Sequence, residues 1–228
     1  MNKILVVAAH PDDEVLGCSG TIAKMVKSKK AIAKALIISE GLTARENKKF
    51  VKNKKYFNKL YAASKKSAKI IGYSSIEILS YPDNKLDTVP NLEIIKAIEK
   101  KIKSFKPNIV FTHSGTDLNI DHQLVSRAVI TATRPLKKQS VKKVLAFETV
   151  SSTEWSFNKK KQFLPNYFEN ITNFIGIKKR ALKAYSSEMR KFPHPRSEEA
   201  IIALAKFRGS SSGFNLAEAF EVIREIKD

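Results

Sequence analysis

The stretch Ile4-Leu5-Val6-Val7-Ala8-Ala9-His10-Pro11-Asp12-Asp13-Glu14 sets the pattern for the whole chain. Ile4 to Ala8 is a short, continuous apolar run rich in β-branched residues, which reads as a strand buried on both faces. From Asp13 to Lys29 the apolar residues Val15, Leu16, Ile22, Met25 and Val26 recur at helical spacing. His10 to Asp13 therefore occupies a strand-to-helix turn. Moving outward, the same alternation predicts strands over Ala33 to Ser39, Ser75 to Leu79, Asn108 to Thr112 and Val144 to Glu148. It predicts helices over Lys59 to Ile71, closed by Gly72, then Leu92 to Phe105 and Asp121 to Thr133.

Strands alternating with helices of this length argue for an α/β, Rossmann-like fold, a mostly parallel sheet with helices on both faces. Ligands of such sheets bind outside the carboxyl ends of the strands, so the residues after Ala8, Ser39, Leu79 and Thr112 should share one crevice. Beyond Glu148 the chain turns irregular around Trp155, Pro165 and Tyr167. Three helices are then expected, near Thr172 to Met189, Ser197 to Phe207 and Leu216 to Ile226. No Gly/Ser-rich or Pro-rich linker precedes them, so residues 151–228 are expected to form a C-terminal helical cap on the 1–150 core, within a single domain 1–228.

The 228 residues carry a formal net charge of +20, and nearly all of the excess is lysine scattered over expected helical faces and loops. Without a recognised nucleic-acid module, that distribution does not point to nucleic acid; contact with an anionic membrane surface is the alternative left open. The one cysteine, Cys18, rules out an internal disulfide and any cysteine-rich metal site, so metal chemistry would have to use His and carboxylates. Cys18 falls in the first helix and is expected to be a small core residue. The apolar run from Ile4 is too short for a signal peptide and far below the ~20 residues of a bilayer span, which leads us to expect the cytoplasm.

Three carboxylates, Asp12, Asp13 and Glu14, crowd a turn at a sheet edge, where they repel one another unless a cation is present. Acids at a helix start also complement its dipole, but that leaves His10 unexplained. The second polar cluster follows the strand ending at Thr112: His113-Ser114-Gly115-Thr116-Asp117-Leu118-Asn119-Ile120-Asp121-His122. It should face the same crevice and so bring three of the four histidines together. Three protein ligands with one open position make a catalytic zinc site, which acidifies water and polarises a carbonyl. Amide or ester hydrolysis with a spare carboxylate as general base is the reaction class this suggests.

Several motifs lie along the chain in the same order: the tetrad His10 to Asp13, Gly17-Cys18-Ser19-Gly20-Thr21, Ser39-Glu40-Gly41, Tyr81-Pro82-Asp83-Asn84 and Asn119-Ile120-Asp121-His122. Together they resemble the LmbE-like, or PIG-L, superfamily of zinc-dependent N-acetylglucosaminyl deacetylases. The resemblance implies that His10, Asp13 and His122 bind zinc, with iron a possible substitute in the cell. It implies further that Asp12 is the general base, that Asp121 orients its surroundings, and that the substrate is a small acetamido sugar, in a pathway such as cell-surface glycan synthesis. Glu14 is expected to hydrogen-bond backbone at the helix start.

Many members of that superfamily carry a histidine three residues before the metal-binding histidine; here the residue is Asn119. Either the Asn119 amide stabilises the oxyanion alone, or His113 reaches in from the strand end. Arg45 resembles the superfamily's substrate-contacting arginine, a solvated loop arginine being the alternative. In Phe192-Pro193-His194-Pro195-Arg196-Ser197, Ser197 is a candidate helix cap, while His194 and Arg196 could line the sugar site. Deacylation of another small N-acyl compound and a catalytically silent metal- or sugar-binding protein are the competing readings.

Overall fold

A computed structural model describes residues 1–42, 54–158 and 162–227. Seven strands form one sheet: β1 (Asn2–Ala8), β2 (Ala31–Ser39), β3 (Ser75–Tyr81), β4 (Ile109–His113), β5 (Lys143–Phe147), β6 (Tyr167–Asn170) and β7 (Ala217–Glu225). Six α-helices are described: α1 (Asp13–Lys27), α2 (Lys54–Ile71), α3 (Asn91–Phe105), α4 (Ile120–Ala132), α5 (Ile175–Ala184) and α6 (Glu198–Ser210). The sheet order is β3-β2-β1-β4-β5-β7-β6. Strands β3 to β5 along that order are mutually parallel, β7 runs antiparallel to β5, and β6 runs antiparallel to β7. This is the expected α/β architecture.

The continuous apolar run of β1 is explained by its central position. Ile4, Val6 and Ala8 join the cluster on the face covered by α1, α2 and α5, while Leu5, Val7 and Ala9 join the opposite cluster under α3 and α4. All six residues are fully buried. From β1 the chain winds one way through β2 to β3, then returns to the other side of β1 for β4 and β5. The carboxyl ends of β1 and β4 therefore flank a topological switch point, where helices diverge to opposite faces and leave a crevice.

Three segments differ from expectation. Leu216 to Ile226, expected as a helix, contains strand β7, and the segment around Tyr167, expected to be irregular, contains β6. Ala217-Glu218-Ala219-Phe220-Glu221 is rich in good helix formers, but β5 needs a partner. Val144, Leu145, Ala146 and Phe147 are at most 2% exposed, and without β7 their backbone groups would form an unpaired edge inside the protein. Pairing overrides propensity here. The expected Thr172 to Met189 helix is shorter, closing at Tyr185, and residues 185–197 instead fold back over the crevice. Ser197 caps α6 as expected, its Oγ accepting from Ala200 N at 3.0 Å.

Gly17 lets α1 sit directly on the end of β5: a Cβ there would lie 2.2 Å from the Phe147 ring, itself fully buried. Gly17→Ala should therefore destabilise the protein by about 1–3 kcal/mol through overpacking. Urea unfolding against the parent checks this.

Candidate metal centre and active site

Between the end of β1 and the start of α1 only Ala9 to Asp12 turn the chain from sheet to helix. Asp12 takes φ 112° and ψ −26°, a positive-φ conformation that residues with a Cβ rarely adopt. Hydrogen bonds on both sides enforce it. Val15 N and Leu16 N each donate to Asp12 O at 2.9 Å, and Asp12 N donates to Glu14 Oε2 at 3.0 Å. Glu14 thus bonds backbone at the helix start, as expected. Across the switch point, α4 begins behind Asn119, whose Oδ1 accepts from Asp121 N at 2.8 Å. That cap points the first helical turn, with Asp121 and His122, back into the crevice.

The side chains from the two turns meet. Asp13 Oδ2 lies 3.2 Å from His10 Nδ1 and 3.3 Å from His122 Nε2, and those two nitrogens are 3.1 Å apart. Their outer nitrogens face carboxylates: His10 Nε2 is 3.2 Å from both Asp121 Oδ2 and Asp83 Oδ1, and His122 Nδ1 is 3.1 Å from Asp117 Oδ1. An imidazole whose outer N–H is drawn to a carboxylate presents a lone pair inward. His10 does so through a hydrogen bond to Asp121, whereas His122 Nδ1 is close to Asp117 Oδ1 but not aligned for a hydrogen bond, and Asp13 Oδ1 is buried without a hydrogen-bond partner. Converging Lewis bases and an orphaned carboxylate oxygen are costly without a cation and match a His-His-carboxylate donor set. The residues present fit a divalent metal ion, and ligand-type atoms of His10, Asp13 and His122 all lie within 4.8 Å of one another.

Electrostatics agree. Burial pulls the His10 imidazole down, but the Asp121 and Asp13 carboxylates outweigh it and raise its pKa to about 10. Despite burial, His122 and His113 hold the Asp13 carboxyl well below the usual range. The site therefore attracts positive charge although it is enclosed. Burial pushes Asp12 up to about 7, against the pull of the Arg196 guanidinium and with Asp13 adding to the rise.

A cavity of about 290 Å³ opens over His10 and Asp12 and is lined also by Asp83, Asn84, Asn119, Glu188, Arg190 and Arg196. Among the residues expected from sequence, His10, Asp12, Asn119 and Arg196 meet there. Arg196 pairs directly with Asp12, Nη1 to Oδ2 at 2.9 Å, and its Nε donates to Ser151 Oγ at 2.8 Å. Asn119 Nδ2 donates to Asn84 Oδ1 at 2.8 Å. His113 lies outside the cavity lining. It is fully buried, stacks on His122 with centroids 3.9 Å apart, and its Nε2 accepts from Ala9 N at 2.9 Å. Burial and the adjacent His122 lower its pKa to about 3. His194 also lies outside the lining, its Nδ1 accepting from Arg196 N at 3.0 Å and its ring meeting Trp155 edge-on. Asp121 Oδ1 accepts from Leu86 N at 3.0 Å while Oδ2 faces His10. Cys18 is buried in α1, as expected. Arg45 falls outside the described residues.

Sequence reasoning missed Asp117, Glu188 and Arg190. Asp117 is 1% exposed and accepts from the hydroxyls of Ser152 and Thr153, the latter at 2.6 Å, as well as from Asn119 N at 2.9 Å. Its only signal was an acid five residues before His122 in the same polar turn. Glu188 and Arg190 carried none: Glu188 lies in a segment expected to be helix, and Arg190 just beyond its expected end.

The PIG-L family, described as GlcNAc-PI de-N-acetylase, matches residues 5–133, more than half of the chain and both halves of the site. An uncharacterized deacetylase of Escherichia coli is 27% identical over 190 residues, covering 81% of this chain and 90% of that protein. The diacetylchitobiose deacetylase of Thermococcus kodakarensis is 24% identical over 234 residues, covering 99% of this chain and 85% of that protein. Among solved structures, the N,N'-diacetylchitobiose deacetylase of Pyrococcus horikoshii superposes with a TM-score of 0.77 at 20% identity, covering 98% of this chain and 84% of that one. With the strand-to-helix turn at His10, the capped helix at His122 and the sheet that joins them inside the matched region, the chain belongs to the PIG-L family.

Proposed function

We propose that this protein is a zinc-dependent hydrolase that removes the N-acetyl group from N-acetylglucosamine or a related acetamido sugar conjugate. The observation that carries the reading is the meeting of His10 Nδ1, Asp13 and His122 Nε2 beneath a polar cavity whose wall contains Asp12. Relatives named as sugar deacetylases support the substrate class. The cavity volume, about 290 Å³, lies at the lower end of small-molecule sites, ~300–1,000 Å³, and suits one sugar unit.

His10, Asp13 and His122 would hold the metal. Zinc there supplies Lewis acidity, polarising the acetamido carbonyl and acidifying water. Asp12 takes the proton of the attacking water and delivers it to the amine nitrogen as the C–N bond breaks, so that acetate and a free amino sugar leave. Proton transfer is assigned to Asp12 Oδ1, because Arg196 engages Oδ2. A carboxyl lifted to about 7 by burial is matched to that dual task near neutral pH. Asn119 Nδ2, on the cavity wall, is assigned as hydrogen-bond donor to the developing oxyanion; buried, neutral His113 instead braces His122. Asp121 and Asp117 orient His10 and His122 through their outer nitrogens.

Elemental analysis of purified protein should find about one tightly held metal per chain, lost in both His10→Ala and His122→Ala; no stoichiometric metal after reloading with zinc would sink the mechanism. Asp12→Asn should keep the metal while its rate of amine release from N-acetylglucosamine or diacetylchitobiose drops by about 10²- to 10⁴-fold. For Asp117→Asn, zinc affinity measured by chelator competition should fall about 10- to 100-fold, as expected for a carboxylate that orients a ligating imidazole.

A further inference from the structure

Asp12 holds an unfavourable backbone conformation at the point where its carboxylate must act, and a chain of buried groups reaches it from the far side of α1. Its amide N–H donates to Glu14 Oε2 at 3.0 Å, inside a single turn. The other oxygen of that carboxylate, Glu14 Oε1, accepts from the Tyr185 hydroxyl at 2.7 Å. Glu14 is fully buried and Tyr185 is 1% exposed, so both contacts are shielded from water. Tyr185 closes α5, its N–H donating to Leu182 O at 2.9 Å. It is one of the largest fully buried side chains of the protein.

A tyrosine that only filled space there would not need its hydroxyl: a buried O–H aimed at a carboxylate is an expensive way to pack a ring. Glu14 touches neither the cavity nor the cluster of His10, Asp13 and His122. What it touches is the amide of Asp12, the one residue of the turn with positive φ other than glycine. The same tyrosine starts the fold-back that carries Glu188, Arg190 and Arg196 to the cavity, since Glu188 N donates to Tyr185 O at 2.8 Å.

We infer that Glu14 and Tyr185 are positioning residues: Tyr185 fixes the Glu14 carboxylate, and Glu14 pins the Asp12 amide so that the Asp12 side chain meets both Arg196 and the substrate. This rests on the assignment of Asp12 as the base. The pair aligns the proton acceptor without touching substrate, so its loss lowers the rate of the chemical step while leaving substrate binding and metal content as they were.

The test uses zinc-loaded full-length protein with Tyr185→Phe, Glu14→Ala and Glu14→Gln. Four quantities are read: kcat and KM for amine release from diacetylchitobiose, zinc per chain, thermal midpoint, and hydrogen exchange of the Asp12 amide by NMR. Tyr185→Phe and Glu14→Ala should lower kcat about tenfold or more, with KM within twofold and zinc unchanged, and should speed Asp12 amide exchange by at least tenfold. Glu14→Gln, which keeps an acceptor for that amide, should recover most of the loss. If Tyr185→Phe folds, loses thermal stability, and shows parental kcat and parental Asp12 exchange, the pair is merely structural and the inference falls. Should Tyr185→Phe fail to fold, the contrast between Glu14→Ala and Glu14→Gln decides in the same way. A parent without activity on acetamido sugars would count against the proposed reaction, and the exchange measurement would still judge the positioning.

Discussion

The carboxylate of Asp13, buried between the imidazoles of His10 and His122, is the constraint around which the rest of the structure is arranged. An enclosed anion needs positive charge or donors within reach, and the fold supplies them from two turns that are 112 residues apart in the chain. Pairing of β1 with β4 brings those turns together at the carboxyl ends of the two central strands. Everything nearby then follows from keeping the inner faces of the imidazoles bare. Asp121 and Asp83 stand against the outer nitrogen of His10, Asp117 against that of His122, and the stacked ring of His113 closes the space behind.

Residues after 150 are not an appendage to this arrangement. β7 completes the sheet beside β5, and from it Glu218 reaches into α1, accepting from Gly20 N at 3.0 Å and Thr21 N at 2.7 Å. Lys178 of α5 bridges that carboxylate and the Leu16 carbonyl, both at 2.7 Å. A buried ion pair of this kind contributes little net stability, but losing one partner leaves the other charge stranded. It therefore fixes where α1 lies relative to α5, and α1 carries Asp13 and Glu14 while α5 leads into Tyr185 and the cavity wall. Bulk charge gives no hint of this. The chain is strongly cationic overall, yet the crevice is built from acids.

Much of this was legible from the chain alone. The unbroken apolar run of β1 requires a central buried strand, and period and spacing placed α1 to α4 on either side of it. The crowding of imidazoles and carboxylates at two strand ends that a doubly wound sheet must bring to one crevice located the site, while the choice of His10, Asp13 and His122 within it came from the resemblance to the PIG-L superfamily. Glu14 at the helix start and Ser197 at a cap were readable for a local reason: each satisfies a backbone N–H within three residues of itself.

What the sequence by itself determined was therefore whatever depends on near neighbours or on hydrophobic period: the strands and helices of the first 150 residues, the mostly parallel character of their sheet, and the polar turns at their ends. Tertiary structure alone decided the strand identity of Ala217–Glu225, the meeting of Asp117 with His122, the pairing of Arg196 with Asp12, and the reach of Tyr185 to Glu14. In each of these a buried group is satisfied by a partner that local pattern does not specify. A helix-prone segment becomes a strand because β5 needs pairing, and Arg196, which does line the cavity, also pairs with a carboxylate that would otherwise be buried without a counter-charge. Such choices follow from the desolvation cost of burying polar groups, which exists only once the chain has folded and its interior is defined.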